Sequence, residues 1–253
     1  MAFSHYAHLV PLLKYPTEAL PQQTAWAIKA FEEDHAEAAG HLKAFADMLP
    51  WGASVAGDAC PLQDQEEIYT RSFEIQAITT LDLGYILFGD EYKRAEVLVN
   101  LNREHEQNGV DCGRELSDHL SNILALLSCS EDRDMLGDLV AMILAPAMRM
   151  MVGEFTPARI EAKEAVYRRH HKTLIDKDGV RSGMYGHVLN AVYCLLQKDF
   201  NFAEEEVIKD FSADFLSSIS RELEIESEEE KPQGQFEPPV TNMPGTGSGC
   251  GSH

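Results

Sequence analysis

DQEEIYTRSFEIQAITTLDLGYILF (64–88) and the adjoining GDEYKRAEVLVNLNREHEQNGVD (89–111) decide the fold. In the first stretch Tyr69, Phe73, Ala77 and Thr80 recur at helical spacing. Ile68, Ile75, Ile78 and Leu81 widen that row until most faces are apolar. A helix apolar nearly all round belongs in the middle of a bundle, so the spacing predicts a long central helix over 64–88. Gly89 ends it as a residue free to take positive φ, and Asp90 with Glu91 puts acid at the positive pole of the next helix. That helix carries Ala95, Leu98, Leu101, Asn102 and His105 on one stripe and stops at Asn108-Gly109.

The same period runs outward in both directions. Upstream, helices are expected from about Glu18 through Phe31 and from His35 to Met48, the second stopping at Pro50, with a Gly- and Pro-punctuated loop over 51–61. Downstream, Ser117 is placed as an N-cap, with Asp118 and His119 in the first turn and Leu120, Ile123, Leu124 and Leu127 as the stripe. Ser130, followed by Glu131, Asp132 and Asp134, caps a helix through Leu136, Leu139, Val140 and Ile143, which Pro146 kinks or ends. Thr156-Pro157 starts another, running through Tyr167 to His171. After a loop over 179–186, helices follow around Val188–Leu196 and Val207–Leu216. No stretch shows strand alternation and no internal repeat is found. The expected fold is all-α: one helical bundle-like domain over 1–220, then a disordered tail over 221–253 rich in acid, Pro and Gly.

Composition narrows the function classes. The 253 residues carry a net charge of -21, which repels nucleic acid and anionic lipid and suits cationic partners. Five cysteines (Cys60, Cys112, Cys129, Cys194, Cys250) are scattered with no C-x-x-C pair, a pattern of reduced thiols in a cytoplasmic protein. The opening MAFSHYAHLVPLLKYP has neither a basic n-region nor an apolar h-region, so no secretory signal is expected. The most apolar run, Leu139 to Met148, falls short of the ~20 residues that span a bilayer, so no membrane insertion is expected.

Signatures of catalysis are missing: no P-loop, no dinucleotide fingerprint, no H-E-x-x-H and no G-x-S-x-G. His5-Tyr6-Ala7-His8, His170-His171 and Cys250-Gly-Ser-His253 are close clusters without a recognised ligand spacing, so no metal is assigned. Glu115, Asp118 and His119 stand out. A carboxylate beside an imidazole at a helix start can accept hydrogen bonds from a guanidinium or an amide. On spacing alone, however, Asp118 merely caps and His119 merely packs. Tyr69 and Phe73 at i, i+4 read first as core aromatics. Met142, Met148, Met150 and Met151 fit either an adaptable binding surface or core filling.

The order of the segments adds a second line. Leu12-Leu13-Lys14-Tyr15-Pro16 is followed by Leu62-Gln63 and Tyr69-Thr70-Arg71-Ser72-Phe73-Glu74, then Leu87-Phe88-Gly89-Asp90, then a helix from Arg94 to Leu101, then Glu115-Leu116-Ser117-Asp118-His119-Leu120. Taken together, this series resembles the nitrate reductase delta-subunit family of molybdoenzyme assembly chaperones over roughly residues 9–150. One departure is Ser117, where that family usually has Pro; both suit a helix start.

The resemblance implies an all-helical cytoplasmic chaperone, not an enzyme, with no resident cofactor. Its partner would be the immature catalytic subunit of a molybdopterin oxidoreductase. It would bind that subunit's N-terminal peptide until molybdenum cofactor and iron-sulfur clusters are in place, and then leave. The implied client is a nitrate reductase. Ethylbenzene or dimethyl sulfide dehydrogenases and selenate or chlorate reductases stay open as clients. On this view Glu115 and Asp118 meet cationic or amide groups of the peptide, His119 tunes the site, and Tyr69 and Phe73 line or support an apolar floor. Two other readings remain: a helical enzyme using Glu115, Asp118 and His119 as acid–base groups or metal ligands, and a structural subunit of the mature complex.

Overall fold

The computed structural model describes residues 3–49, 61–170, 181 and 183–202, all within one unit, Met1–Lys209. The fold is all-α, and no strand occurs among the described residues. Two 3₁₀ turns, Ser4–His8 and Val10–Leu13, precede α1 (Leu20–Phe31), α2 (Ala36–Met48), α3 (Pro61–Phe73), α4 (Leu83–Phe88), α5 (Tyr92–Asn108) and α6 (Leu120–Cys129). Then come α7 (Arg133–Leu139), a wide turn (Val140–Leu144), α8 (Ala145–Glu154), α9 (Pro157–His170) and α10 (Met184–Phe200). Residues 51–60 of the loop expected over 51–61, the helix around Val207–Leu216 and the tail 221–253 lie outside the described residues; Pro61 belongs to α3 and not to the loop.

The middle of the bundle belongs to α6 and α10. Leu120, Ile123, Leu124, Leu126 and Leu127 of α6 are all fully buried, as are Tyr185, Val188, Leu189, Val192 and Leu196 of α10. Each such side chain contributes about 1.5–3 kcal/mol of burial. Along α10 run α2 and α8, α1 pairs with α2, and the N-terminal 3₁₀ turns lie on α6.

The single helix expected over 64–88 is instead two. α3 stops at Phe73, Gln76 takes a left-handed backbone at φ 50, and the chain runs irregularly to α4. The N–H groups of Ile78 and Thr79 both reach back to the Ser72 carbonyl. Ile75 turns out to solvent while Ile78 and Leu81 are buried. Ile75, Ile78, Thr79 and Thr80 are β-branched and disfavour a continuous helix, and the break is stabilised from outside. Leu83 N–H donates to the Asp118 carbonyl (3.0 Å) and Leu120 N–H to the Leu81 carbonyl (2.8 Å), a short antiparallel bridge pairing Asp82 with His119. From α9, the Tyr167 hydroxyl donates to the Ala77 carbonyl (3.1 Å) and the Lys163 ammonium to the Ile78 carbonyl. Lys163 is buried with Glu154 at 2.9 Å.

Other expectations shift by smaller amounts. Gly89 ends α4 with positive φ (57), as read, and α5 stops at Gly109 as read, there too with positive φ (68). The buried edge of α5 is Arg94, Leu98, Leu101 and His105, with Ala95 and Asn102 facing outward. α7 is capped by Asp132, whose carboxylate accepts the Met135 N–H at 2.9 Å, and not by Ser130. Pro146 does not end the helix. The preceding turn widens, Ala145 N–H bonding the Val140 carbonyl five residues back, which relieves the clash a proline makes with the carbonyl four residues earlier. The helical stretch Arg133–Glu154 thereby reaches 22 residues, long and apolar enough by length and composition to cross a membrane. Its Leu136, Leu144, Ala147, Met148 and Met151 nevertheless pack in the core, which places Met148 and Met151 as filling.

Candidate functional site

Asp118 joins two segments of the resemblance, Arg94–Leu101 and Glu115–Leu120, to the start of α4, while Leu12–Pro16 and Tyr69–Glu74 meet each other through Leu13, Tyr15 and Tyr69. The Asp118 side chain is 0 % exposed. Oδ2 accepts the Gly84 N–H at 3.1 Å and Arg94 Nε at 3.2 Å. Arg94 reaches on through Nη2 to Asp82 Oδ2 at 3.1 Å and lies over the Tyr85 ring at 5.4 Å. One guanidinium thus joins two carboxylates. Burial raises the Asp82 pKa, the Asp118 charge adds to this, and Arg94 opposes it. Asp118 Oδ1 is buried with no hydrogen-bond partner among the described residues.

This arrangement corrects the expected helix start. α6 begins at Leu120, so Ser117 is not its cap; the Ser117 hydroxyl donates to the Leu98 carbonyl at 3.2 Å. Asp118 does not sit in the first turn of α6 either. It caps α4, whose second residue is Gly84, and lies at that helix's positive end. The cap of α6 is His119. Its Nδ1 accepts the Ser121 N–H at 3.3 Å and lies 2.8 Å from the Ser121 hydroxyl, so the ring proton belongs on Nε2. Burial lowers the His119 pKa; Glu115 and Asp118 act the other way, and Lys14 adds to the lowering. The imidazole is neutral around pH 7.

Tyr69 and Phe73, 4 % and 7 % exposed, belong to the core and do not line an open surface. Their rings meet each other at 5.2 Å and Tyr185 at 5.6 and 5.0 Å. Tyr69 also ties the layer to the N-terminal segment, its hydroxyl donating to the Leu13 carbonyl at 3.3 Å and its ring meeting Tyr15 edge-on at 5.5 Å. Burial pushes the Tyr69 hydroxyl pKa well up. Gln65 Nε2 donates to the buried Tyr185 hydroxyl at 2.9 Å, while Gln65 Oε1 is buried with no hydrogen-bond partner among the described residues.

Glu115 is exposed, on the loop between α5 and α6. Asn122 holds that loop from below, donating to the Leu116 carbonyl at 2.8 Å and the Cys112 carbonyl at 3.4 Å. Leu116 and Tyr15 are each 49 % exposed. The site therefore has an exposed rim (Lys14, Tyr15, Glu115, Leu116) and a frame beneath it, buried at Tyr69, Gly84, Asp118 and His119 and half-buried at Asp82 and Arg94. Phe73 lies a layer beneath. Sequence reasoning singled out Glu115, Asp118 and His119 but missed Gly84 and the Asp82–Arg94 link, because contacts across the bundle leave no local spacing signal.

Groups able to hold a metal lie elsewhere. Ligand atoms of His5, His35 and Asp199, and separately of Glu37, His41 and Cys194, come within 4.8 Å of one another. His170 and the Cys250–His253 cluster lie outside the described side chains, and His8 does not join His5. Cys112, Cys129 and Cys194 are free thiols. No family model matches this chain, and no curated protein matches it either.

Proposed function

We propose that this protein is an assembly chaperone that binds the N-terminal peptide of an immature molybdopterin oxidoreductase catalytic subunit, a nitrate reductase being the first client to test. One observation carries the reading: segments read in series along the sequence pack on one another, the Val10–Leu13 turn on α6, Tyr15 on Tyr69, and Arg94 on Asp118. Such convergence supports a shared task for those segments. The chemistry agrees with it. A basic, then apolar, peptide is suited by an acidic protein bearing half-exposed apolar groups, here Leu116 and Tyr15 beside Glu115 and Lys14 on a chain of net charge -21. Glu115 makes the direct contact. Asp118 and His119 are positioning residues that hold the 112–119 loop between α4 and α6, and Tyr69 and Phe73 support it from below.

An acid–base role for Asp118 and His119 has less support, since Oδ2 of the first and Nδ1 of the second are already engaged within the fold. The test is recovery of partners on the tagged full chain from cells induced for their molybdoenzymes. Recovery of a catalytic subunit lacking molybdenum cofactor, reduced by Glu115→Lys, supports the chaperone. Recovery only within a mature, cofactor-loaded complex would make it a structural subunit instead.

A further inference from the structure

We propose that His5, His35 and Asp199 form a binding site for one divalent transition-metal ion of the zinc class, independent of the chaperone reading. The three residues come from distant parts of the chain: the 3₁₀ turn Ser4–His8, the residue preceding α2, and the last turn of α10. Their ligand atoms lie within 4.8 Å of one another. His5 Nε2 is 2.7 Å from Asp199 Oδ2. The His5 and His35 rings stack at 5.1 Å with 29° between planes. His35 Nδ1 is buried with no hydrogen-bond partner among the described residues, a lone pair or N–H desolvated without return.

The donor set selects the ion. Two imidazoles and a carboxylate suit zinc and its neighbours, whereas calcium and magnesium prefer all-oxygen surroundings. Bonds of about 2.0–2.1 Å in a tetrahedron set donors about 3.3 Å apart, so the widest pair closes by at most about 1.5 Å, within the reach of side-chain rotation. Three protein ligands leave the fourth position for water or an exogenous group. In the metal-free chain the His5–Asp199 contact holds the pair together; metal would take the place of the shared proton.

The surroundings fit. The Tyr6 hydroxyl beside His5 is buried with no hydrogen-bond partner among the described residues, a donor left for an outer contact to the site. Phe3 stacked on Phe200 at 4.6 Å closes one side. Lys198 is the opposing charge, and its ammonium is drawn off to the Asp34 carbonyl. Bound metal would fasten the N-terminal turn to both the α1–α2 junction and α10.

The competing cluster of Glu37, His41 and Cys194 contains a thiol, which makes the two separable by spectroscopy. The full chain, stripped by chelator, is titrated with Zn²⁺ by calorimetry and with Co²⁺ by absorption. One equivalent is expected, with cobalt ligand-field bands, no thiolate-to-cobalt charge transfer, and a raised melting temperature. His35→Gln and Asp199→Asn should each weaken binding at least about 100-fold, the upper end of what losing even an outer partner of a ligand costs. His8→Gln and Cys194→Ser should leave it unchanged. If Asp199→Asn does not fold, His5→Gln on the terminal turn carries the same test. The proposal is overturned if the chain binds no metal, if the sole site shows a thiolate band abolished by Cys194→Ser, or if a folded His35→Gln keeps its affinity.

Discussion

Replacing Gly84 by alanine tests the buried frame at its tightest point. Within a helix this substitution ordinarily stabilises by about 1 kcal/mol. Here a Cβ at Gly84 would stand 2.6 Å from Asp118 Oδ2 and 3.1 Å from Arg94 Cγ. Asp118 has little room to retreat. Its side chain is short and fully buried, and its carbonyl is fixed by the Leu83 N–H. Moving Oδ2 weakens its bonds to Gly84 N–H and Arg94, each of the charged kind worth about 1.5–3 kcal/mol. Set against the propensity gain, the net expectation is a loss of about 1–3 kcal/mol, comparable to overpacking elsewhere. For a chain of this size that lowers the melting temperature by about 2–4 °C per kcal/mol. Urea denaturation would measure it, with Gly40→Ala as the control: Gly40 is exposed on α2 with nothing near its would-be Cβ, so that variant should gain up to about 1 kcal/mol. In an Asp118→Ala background most of the Gly84→Ala cost should vanish. A Gly84→Ala protein as stable as Gly40→Ala would refute the account of Asp118 as an immobile cap on α4.

Three further outcomes are expected. Glu115→Lys, on an exposed loop, should change stability by no more than about 0.5 kcal/mol yet weaken peptide binding about tenfold or more by reversing a rim charge, read by calorimetry. His119, whose pKa is lowered on folding, binds a proton in the unfolded chain before it does in the native one. Its contribution is therefore complete above about pH 6.5 and is lost as pH falls towards the folded value. The non-titrating cap His119→Asn should reduce the slope of stability against pH below 6.5 by up to about 1.4 kcal/mol per pH unit, although Glu115, Asp118 and Lys14 all face this ring; an unchanged slope would mean another group carries it. Asp132→Ala should cost about 1 kcal/mol by urea titration through loss of the α7 cap, and Ser130→Ala distinctly less, since Ser130 Oγ accepts only the Asp132 N–H at 3.3 Å.

Fold class was legible in the sequence because helical period is a local property. The apolar stripes of α2, α6 and α10, the stop at Gly109 and the start at Thr156-Pro157 each depend on residues within a turn or two of one another. Lys14-Tyr15, Glu115, Asp118 and His119 were also singled out by their order along the chain. Only the tertiary structure decided the rest. The break at Phe73 needs donors from α9 and a bridge to 118–120. Asp118 looked like the cap of its own helix, and caps α4 because that helix start is delivered beside it. Core status went to α6 and α10 once the 64–88 stretch divided. His5, His35 and Asp199 share no spacing at all and meet because the N-terminal turn packs where α2 begins and α10 ends. Periodicity reports which face of an element seeks burial; which polar groups satisfy one another depends on contacts between elements, and those are made only when the bundle closes.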